Sequence, residues 1–460
     1  MRSVLLGGTA LYGGICGFTY CKTDGKLTPY RMLIAQIRSF RIGMMGMRMG
    51  LVYKFSGKSK KDKHAEAAAI MKETFKQNGG LYIKLGQLIA TLDILVPDEY
   101  VAAFRDMFQN APTSEFKEVK RVFEETTGKK LEDMFTTFHE KPISSASIAQ
   151  VHEAYLKTTG EKVAVKVQHE WLHEEATIDV MVCEIMATLG KKFFKDFDYD
   201  FIIKDMKKNV PQELDFTIEA YNAITIRKLF SDNKKIKVPY VYQDLSNKKV
   251  MTMEFVEGIN IDHKQRLVDA GISPKEASEL LADCFSRQIF EFGFIHADPH
   301  SGNVFARKVK EGGKTFTQLI LLDHGLYKEL KEEQVYSYSL LWKGILKQDE
   351  KMIQEASKLL GVKNYFMFAA MITNKDWDVI MDKKRTDVKS RLTLERDEET
   401  RQDTVTKFNL YMQEIITCFN EMDNDLLLVL KVNDYLRGID NHLGNPVNSF
   451  LHTVKIVVII

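Results

Sequence analysis

Three polar residues with a distinctive spacing stand in an otherwise apolar part of this chain. Asp298 lies in the sequence FIHADPHSGNV (294–304), Asn303 follows it five positions later, and Asp323 comes further on in the sequence LLDHG. Phosphoryl-transfer sites use an acid, an amide and a second acid in this order to orient a nucleophile and to hold magnesium. The spacing therefore predicts Asp298 as the acid beside the attacking oxygen, and Asn303 and Asp323 as magnesium ligands.

Two histidines, His296 and His300, share that stretch. A protein zinc site uses at least three protein ligands, and no third residue of suitable spacing accompanies this pair. A packed or hydrogen-bonded role is therefore the better interpretation of both histidines.

A lysine in the first half of the chain extends the pattern. Lys166 ends the sequence VAVK, in the second strand of a hairpin predicted to turn at 158–160. A lysine at the end of such a strand binds the α and β phosphates of a nucleotide and pairs with a glutamate on a nearby helix. The sequence VAVK alone would fit an ordinary strand. A nucleotide site is favoured by the order of features along the chain: a loop of small residues, the strand that ends in Lys166, a helix, Asp298 and then Asp323.

The loop before this hairpin consists of small residues, which allow backbone N–H groups to approach a phosphate closely. The candidates are Ser144, Ser145, Ala146 and Ser147. A protein kinase has a glycine-rich loop at this place. Because this loop contains no glycine, it is a weak signal by itself.

Acidic partners for Lys166, and for Lys84 further upstream, are expected in the sequence PQELDFTIEAYN (211–222). Glu213, Asp215 and Glu219 fall within seven residues of a predicted helix, and the helical period places Asp215 and Glu219 on one face. The alternative is an ordinary solvated acidic face.

A strand-like run (250–256) follows these acids and ends before Glu257 and Gly258. In a kinase, the strand that leads into the short connector between lobes offers backbone groups to adenine. Glu254 and Val256 are the predicted contacts of this kind.

The composition limits the class of protein. With 460 residues, 45% of them hydrophobic, the chain has enough apolar side chains for a large core in one or two domains. Lysine plus arginine (65) nearly balances aspartate plus glutamate (63), which argues against a general nucleic-acid binder. The five cysteines include no C-x-x-C pair and are odd in number, so neither a zinc site nor a disulfide framework is indicated. A reducing compartment or buried thiols fit this pattern.

The N-terminus combines an apolar run with a basic segment. Residues 4–20 are apolar and glycine-rich. Their length is compatible with three alternatives: a short membrane anchor that also serves as an organelle-targeting segment, a cleaved signal peptide, or a buried helix. Residues 31–63 are basic and rich in methionine, so they could lie along an anionic membrane surface or form a solvated helix packed on the domain. The sequence GKSKKDKH (57–64) predicts a polar linker.

A helical segment precedes the first predicted strands. Lys84 and Gln87 are three residues apart in the apolar sequence LYIKLGQLIATL (81–92), so they share a helix face. Buried polar groups of this kind need partners. Alternatively, the Lys84 side chain extends to solvent.

Together these residues resemble the UbiB/aarF-domain family of atypical protein-kinase-like proteins, from about residue 67 to residue 444. Lys84 to Gln87 matches the family's K-x-G-Q motif, and 144–149 matches its alanine-rich loop. Glu213 to Asp215 matches its E-x-D motif. The nucleotide lysine, its glutamate partner, the catalytic residue and the two metal ligands would be Lys166, Glu219, Asp298, Asn303 and Asp323.

The resemblance implies an α+β, bilobal protein-kinase-like fold with a small β-containing N-lobe, a mainly helical C-lobe and an N-terminal helical extension covering the substrate groove. Lys84 is then expected to pair with Glu213 or Asp215. The implied segments are a targeting or anchor segment (1–26), a basic segment with its linker (27–63), the extension (64–140), the N-lobe (141–257) and the C-lobe with a helical tail (258–460).

The same resemblance implies ATP and Mg²⁺ as cofactors, and phosphotransferase or ATPase activity on a small or lipid-like substrate. It also implies a place at the mitochondrial inner membrane and a role in lipid homeostasis and mitochondrial organisation. The implied partners are a membrane lipid or lipid-like small molecule, the membrane surface and proteins of the mitochondrial membrane. The alternative is a nucleotide-binding pseudokinase scaffold. The sequence DHG at 323–325 replaces the usual Asp-Phe-Gly and resembles the aarF-domain-containing kinase 1 and 5 subgroup, and Ala149 stands where the family often has glycine.

Overall fold

The computed structural model describes residues 29–90, 96–108, 113–170, 172–193, 200–373, 375–382, 422 and 424–444. The chain divides into two compact units, one formed by Met1–Leu214 with Asn247–Met251 and the other by Asp215–Ser246 with Thr252–Ile460. Helices and β-sheets occur in both units, which confirms the predicted α+β class.

The helices of the described residues are α1 Pro29–Phe55, α2 Lys60–Asn78, α3 Leu81–Ala90, α4 Asp98–Phe104, α5 Phe116–Thr127, α6 Leu131–Met134, α7 Leu172–Phe193, α8 Asp200–Glu213, α9 Phe216–Leu229, α10 Lys264–Asp269, α11 Pro274–Arg287, α12 Glu332–Lys347, α13 Glu350–Leu359, α14 Tyr365–Thr373, α15 Trp377–Ile380 and α16 Asn424–His442. The strands are β1 Phe135–Phe138, β2 Ser144–Ser145, β3 Ala149–Leu156, β4 Lys162–Gln168, β5 Ile236–Lys237, β6 Val250–Glu254, β7 Ile259–Asn260, β8 Phe294–His296, β9 Val304–Glu311, β10 Lys314–Leu321 and β11 Tyr327–Glu329.

Helices α1 to α4 share one hydrophobic core with α7 and α8 in the first unit. Its centre is aromatic: the ring centroids of Phe75 and Tyr82 are 5.5 Å apart, and those of Phe75 and Phe104 are 5.6 Å apart. All three side chains are almost completely buried. Because each buried aromatic side chain stabilises the fold by about 2–3 kcal/mol, this cluster fixes the helical extension as a folded part of the first unit.

A buried ion pair ties α1 to this core. The Arg38 guanidinium binds the carboxylate of Asp179 on α7 through both oxygens and donates to the carbonyl oxygen of Asn78 at the end of α2. It also lies 5.5 Å from the centre of the Tyr82 ring. Burial raises the pKa of Asp179 to about 6, and the neighbouring Arg38 opposes that rise.

The polar segment predicted as a linker is shorter than expected. Helix α2 begins at Lys60, inside the predicted range 57–64, because the Ser59 side chain accepts the Asp62 N–H at 3.2 Å and caps the helix. The prediction was wrong at this boundary because lysine and aspartate are as compatible with a first helical turn as with a linker.

No helix among the described residues is both long enough and apolar enough to cross a bilayer. The predicted anchor or targeting segment (1–26) lies outside the described residues.

The first unit also contains the predicted hairpin. Strands β3 and β4 pair antiparallel, with Val151 opposite Lys166 and Tyr155 opposite Lys162. Gly160, at φ 72°, lies in the turn. The sheet continues to β1 on one side, and on the other side Gln168 donates its backbone N–H to Lys249 at 2.9 Å. Strand β4 is buried on both faces, so its charged Lys166 is held in a rigid setting.

The second unit is built around short sheets and helices. Strands β9 and β10 form a long antiparallel hairpin, flanked by β5 and β7, and β8 pairs with β11. Helix α11 ends in a π-helical turn, Gln288–Phe292, and Gly293 then adopts φ 59° to reverse the chain into β8. The helix thereby delivers the stretch that contains Asp298.

Candidate functional site

A buried glutamine anchors the stretch that contains Asp298 through a hydrogen bond. Gln288 is completely buried in the π-helical turn, and its side-chain oxygen accepts the backbone N–H of His296 at 2.9 Å. His296 stacks on Tyr327, with ring centroids 5.0 Å apart and the planes only 7° from parallel. Burial lowers the pKa of His296. His296 is therefore a packed residue of the stretch, as the sequence interpretation preferred.

Hydrogen bonds connect Asp298, Asn303 and the segment before Asp323. The Asn303 side chain donates to the carbonyl oxygen of Asp298 at 3.4 Å, and the Asn303 carbonyl oxygen accepts the N–H of Leu322 at 2.8 Å. Asn303 is nearly buried, whereas about a quarter of the Asp298 side chain is exposed. The three residues predicted from spacing are therefore brought together in the second unit.

Asp323 has a backbone conformation that is uncommon for a residue with a side chain. Its φ is 55°, and its carboxylate accepts the N–H of Gly325 at 3.1 Å. Aspartate tolerates the left-handed region better than most residues, but the conformation still costs energy. Strained backbone of this kind is concentrated at functional positions, which makes the Asp323 turn a candidate functional feature in its own right.

The histidine that follows Asp323 fixes this turn from inside the fold. His324 is buried, with one ring nitrogen 3.0 Å from the Tyr327 hydroxyl and the other 3.2 Å from the Leu321 carbonyl oxygen. Its own carbonyl oxygen accepts the side-chain N–H of Asn222 at 2.9 Å. Both nitrogens are thus engaged in hydrogen bonds, and the sequence variant DHG gives a polar anchor where the usual Asp-Phe-Gly has an apolar ring.

Glu219, the predicted partner of Lys166, lies near the same turn. A Cβ placed on Gly325 would be 3.2 Å from Asp323 Oδ1 and 3.9 Å from Glu219 Oε2. Glu219 is almost fully buried in the first turn of α9. Lys166 belongs to the first unit and Glu219 to the second, so their pairing stays a prediction.

The donor set suits magnesium better than a transition metal. Among the described residues, no group of three histidine, cysteine, aspartate or glutamate side chains is arranged to hold a metal. Magnesium prefers oxygen ligands and is commonly held by one or two carboxylates together with substrate phosphates. Asp323 and the side-chain oxygen of Asn303 supply ligands of that chemistry, so the residues present fit a magnesium ion that arrives with a nucleotide.

The small-residue loop of the first unit is a tight, well-anchored turn. Strand β2 pairs with β3, and Ala146 donates its N–H to the Ala149 carbonyl oxygen at 2.8 Å. A ring nitrogen of His169 lies 3.1 Å from the Ala146 carbonyl oxygen. Burial lowers the pKa of His169. Ser147 is buried, while the Ser144 side chain is exposed, and phosphate contacts of the loop stay a prediction.

The helical extension makes the ion pair that was predicted for it. Lys84 on α3 binds the carboxylate of Glu213 at the end of α8, and both residues belong to the first unit. Glu213 is buried and about a third of the Lys84 side chain is exposed. Gln87 donates to the Met107 carbonyl oxygen at 3.2 Å. The contact expected for Lys84 is confirmed, with Glu213 as the partner.

The helix predicted across 211–222 is in fact two helices. Helix α8 ends at Glu213, and Asp215 is the N-cap of α9, its carboxylate accepting the Thr217 N–H at 3.0 Å. The prediction that Asp215 and Glu219 share one helix face was therefore wrong. Asp215 caps the helix and lies outside its regular turns.

Glu254, one of the two predicted adenine contacts, ends strand β6. Its backbone N–H is donated to the Tyr240 carbonyl oxygen at 2.8 Å, and its carboxylate pairs with Lys237 at 2.7 Å. These contacts hold the strand end in place and leave no role for that N–H in binding adenine. Contacts of Glu254 and Val256 with a base stay predictions.

Sequence reasoning missed two residues of the second unit. Asn222 ties α9 to the turn after Asp323, and Lys431 on α16 lies 3.8 Å from Asp298. Asn222 stood in the sequence only as the end of an acidic helix, and nothing local in α16 marks Lys431. Both contacts join residues that are distant along the chain.

Residues 106–357 match the ABC1 atypical kinase-like domain. The chain belongs to the ABC1/AarF family of atypical kinase-like proteins. AarF domain-containing protein kinase 1 of Gallus gallus is 36% identical over 85% of this chain and 74% of its own length. A putative ABC1 protein of Arabidopsis thaliana is 34% identical over 98% of this chain and 88% of its own.

A solved structure supports the fold of this ABC1/AarF protein. The Rv3197–erythromycin complex from Mycobacterium tuberculosis aligns with a TM-score of 0.51 at 20% identity, over 83% of this chain and 95% of that chain. At this identity the likeness concerns the fold alone. It agrees with the predicted bilobal protein-kinase-like class, and relatives named as kinases indicate a kinase-type enzyme at a coarse level.

Proposed function

We propose that this protein binds Mg-ATP and acts as a phosphotransferase or ATPase on a small or lipid-like substrate. The observation that carries the proposal is the hydrogen-bonded connection from Asp298 through Asn303 to Leu322, which leads directly into the strained Asp323. Catalysis of phosphoryl transfer depends mainly on positioning and on stabilising charge. A rigid, connected set of an acid, an amide and a second acid is suited to both tasks.

Each residue has a defined role in this proposal. Asn303 and Asp323 would hold the magnesium ion, which would supply positive charge to offset that of the phosphates. Lys166 and the backbone of the 144–147 loop bind phosphate oxygens. The nucleophile's oxygen forms a bond to the γ-phosphorus as the bond to the bridging oxygen breaks. ADP leaves with that oxygen, and the nucleophile's proton passes to Asp298.

The experiment is a comparison of the full chain with Asp298→Asn and Asp323→Asn, with membrane lipid present. We expect the wild type to bind Mg-ATP and to release ADP. The Asp323 variant should lose magnesium-dependent nucleotide binding, and the Asp298 variant should keep binding but lose turnover about a hundredfold or more. A wild type that binds Mg-ATP without turnover above both variants contradicts the enzyme proposal.

That last outcome would support a second candidate, a nucleotide-binding pseudokinase scaffold. The observation favouring it is the 144–149 turn, which has no glycine and is fixed through Ala146 by His169. Such a turn has little freedom to close over a nucleotide during turnover. A scaffold would still bind Mg-ATP, and its captured lipid or protein partners would change with the nucleotide.

We also propose that helix α1 binds an anionic membrane surface. Besides its buried face, this helix carries exposed apolar side chains along one stripe at helical spacing. The exposed residues are Leu33, Ile37, Phe40, Met47, Leu51 and Phe55. The helix contains five basic residues and no acidic ones. Arg38 is buried against Asp179, and the other four basic residues complement anionic lipid and would repel a second copy of the helix.

Together, a kinase-type site and an apolar, basic helix suit a membrane-associated enzyme of lipid homeostasis. We further propose, on the family resemblance, that the protein is located at the mitochondrial inner membrane. Fractionation of mitochondria with detection of the endogenous protein tests this location.

A further inference from the structure

The stretch that carries Asp298 has no lysine or arginine of its own. Between 294 and 304 the only basic side chains are the histidines His296 and His300. The His296 side chain is buried, and burial lowers its pKa. Phosphoryl transfer nonetheless concentrates negative charge beside the acid that receives the proton. A cation from another part of the chain would compensate for that deficit.

Helix α16 places one there. The ammonium group of Lys431 lies 3.8 Å from Asp298 Oδ1, and it also lies 5.5 Å from the centre of the Tyr435 ring, one turn along the same helix. About a quarter of each charged side chain is exposed. The pair is therefore partly shielded from water, so its interaction is less screened than that of a surface pair.

The position of Lys431 is fixed by an apolar contact on the same helix face. Leu428, three residues earlier, packs in one buried cluster with Ala297 and Leu326. Ala297 immediately precedes Asp298, and Leu326 immediately follows Gly325, where the Asp323 turn ends. One side chain of α16 thus belongs to the same buried cluster as residues from both segments that supply the proposed catalytic and metal-binding residues.

Three further contacts keep α16 in place on the second unit. Asp440 accepts a hydrogen bond from Ser278, Asn433 donates to the Tyr338 hydroxyl at 2.9 Å, and a ring nitrogen of His442 lies 3.2 Å from Asp262 Oδ1. Because these contacts extend from Asn433 to the end of α16, the helix that carries Lys431 is anchored to the second unit.

We infer that Lys431 is a positioning residue of the proposed phosphoryl-transfer site. It orients the Asp298 carboxylate through the ion pair at Oδ1, so that this carboxylate can accept the proton of the nucleophile. Helix α16 is then a component of the site, contributed from a part of the sequence far from the catalytic stretch. This inference rests on the proposed function, because it assigns Lys431 a role through Asp298.

The test measures Mg-ATP turnover by the full chain with Lys431→Met, Lys431→Gln and Lys431→Arg. The control is Lys351→Met, which removes an exposed lysine from α13. We expect Lys431→Met and Lys431→Gln to lower kcat about tenfold while the KM for Mg-ATP changes little, because the contact acts on the acid and spares the nucleotide. Lys431→Arg should restore most of the rate. Thermal unfolding establishes that each variant is folded.

A double-mutant comparison separates this role from a general effect on the fold. In an Asp298→Asn background, Lys431→Met should cause no further loss of kcat, since the partner is already gone. An equal loss in both backgrounds, or unchanged kcat in a folded Lys431→Met protein, overturns the inference and leaves the proposed function standing. A wild type without any turnover overturns the proposed function, and the inference falls with it.

Discussion

Glu213 and Asp215 are two residues apart, yet they serve different helices: Glu213 ends α8 and binds Lys84, whereas Asp215 caps α9. The ion pair is internal to the first unit and links the helical extension to the end of α8. Glu213 is mostly buried, but Lys84 keeps about a third of its side chain in water. The pair should therefore stabilise the first unit modestly.

We predict that Glu213→Gln lowers the free energy of unfolding by about 1–2 kcal/mol. The variant removes the carboxylate, but Lys84 can still extend to solvent, so the loss stays below that for a fully buried pair. Denaturant unfolding of the purified protein measures it. In contrast, Asp215→Asn should be nearly neutral and Asp215→Ala should cost about 1 kcal/mol, because only alanine removes the helix cap.

Gly86, between Lys84 and Gln87, is required by close packing. A Cβ at this position would lie 2.8 Å from Cδ1 of Phe104 and would also collide with the sulfur of Met107. Phe104 is fully buried and packs against the Phe75 ring, with the ring centroids 5.6 Å apart. We predict that Gly86→Ala destabilises the protein by about 2 kcal/mol despite the better helix propensity of alanine.

The matched control for that change is Gly43→Ala on α1, where an added Cβ would meet nothing within 4 Å. This substitution should be neutral or stabilising by about 0.5–1 kcal/mol, because alanine favours the helix. Equal midpoints for the two variants in a thermal unfolding experiment would contradict the packing argument for Gly86.

Local patterns were sufficient to predict several parts of this fold. The Lys166 hairpin follows from alternating apolar residues around a glycine turn, and the structure pairs its two strands as expected. The hairpin depends on periodicity within a short segment, which a sequence displays directly. The Lys84 contact was expected from the family resemblance, since the residues alone left open an extension of this side chain to solvent.

The parts that were missed depend on distant contacts or on a helix break. Acids at helical spacing look alike whether a helix continues or restarts, and the cue at Asp215 was only its suitability as an N-cap. Lys431 and Asn222 meet the Asp298 and Asp323 segments solely through tertiary packing. Single-sequence reasoning has no access to such pairs.

The Arg38–Asp179 pair should make stability depend on pH. We predict that Arg38→Met lowers the free energy of unfolding by about 3 kcal/mol near pH 8, because it leaves a buried carboxylate without its cation. In the variant, the pKa of Asp179 should rise further above its unfolded value. A raised folded pKa stabilises at low pH and that contribution is lost as pH increases, so the deficit relative to wild type should be smaller near pH 5.

Denaturant unfolding at both pH values measures this difference. Arg48→Met provides the control, since Arg48 is an exposed arginine on the same helix and its removal should change stability by less than about 0.5 kcal/mol at either pH. If the deficit of the Arg38 variant were the same at pH 5 and pH 8, the remaining Asp179 charge would not be its cause.

The exposed stripe of α1 yields a prediction about membrane binding. Phe40 and Leu51 are 64% and 50% exposed, so replacing both with glutamate should leave the fold intact. It also removes apolar area and adds negative charge to a basic helix. We predict that binding to vesicles containing phosphatidylglycerol falls at least about tenfold, since each buried side chain of this size contributes about 1.5–3 kcal/mol.

Phe366→Glu, at an exposed phenylalanine of α14, is the control and should bind like the wild type. Vesicle sedimentation with and without the anionic lipid distinguishes the two contributions, and unchanged binding of the Phe40→Glu/Leu51→Glu protein would exclude this face of α1 as the membrane site.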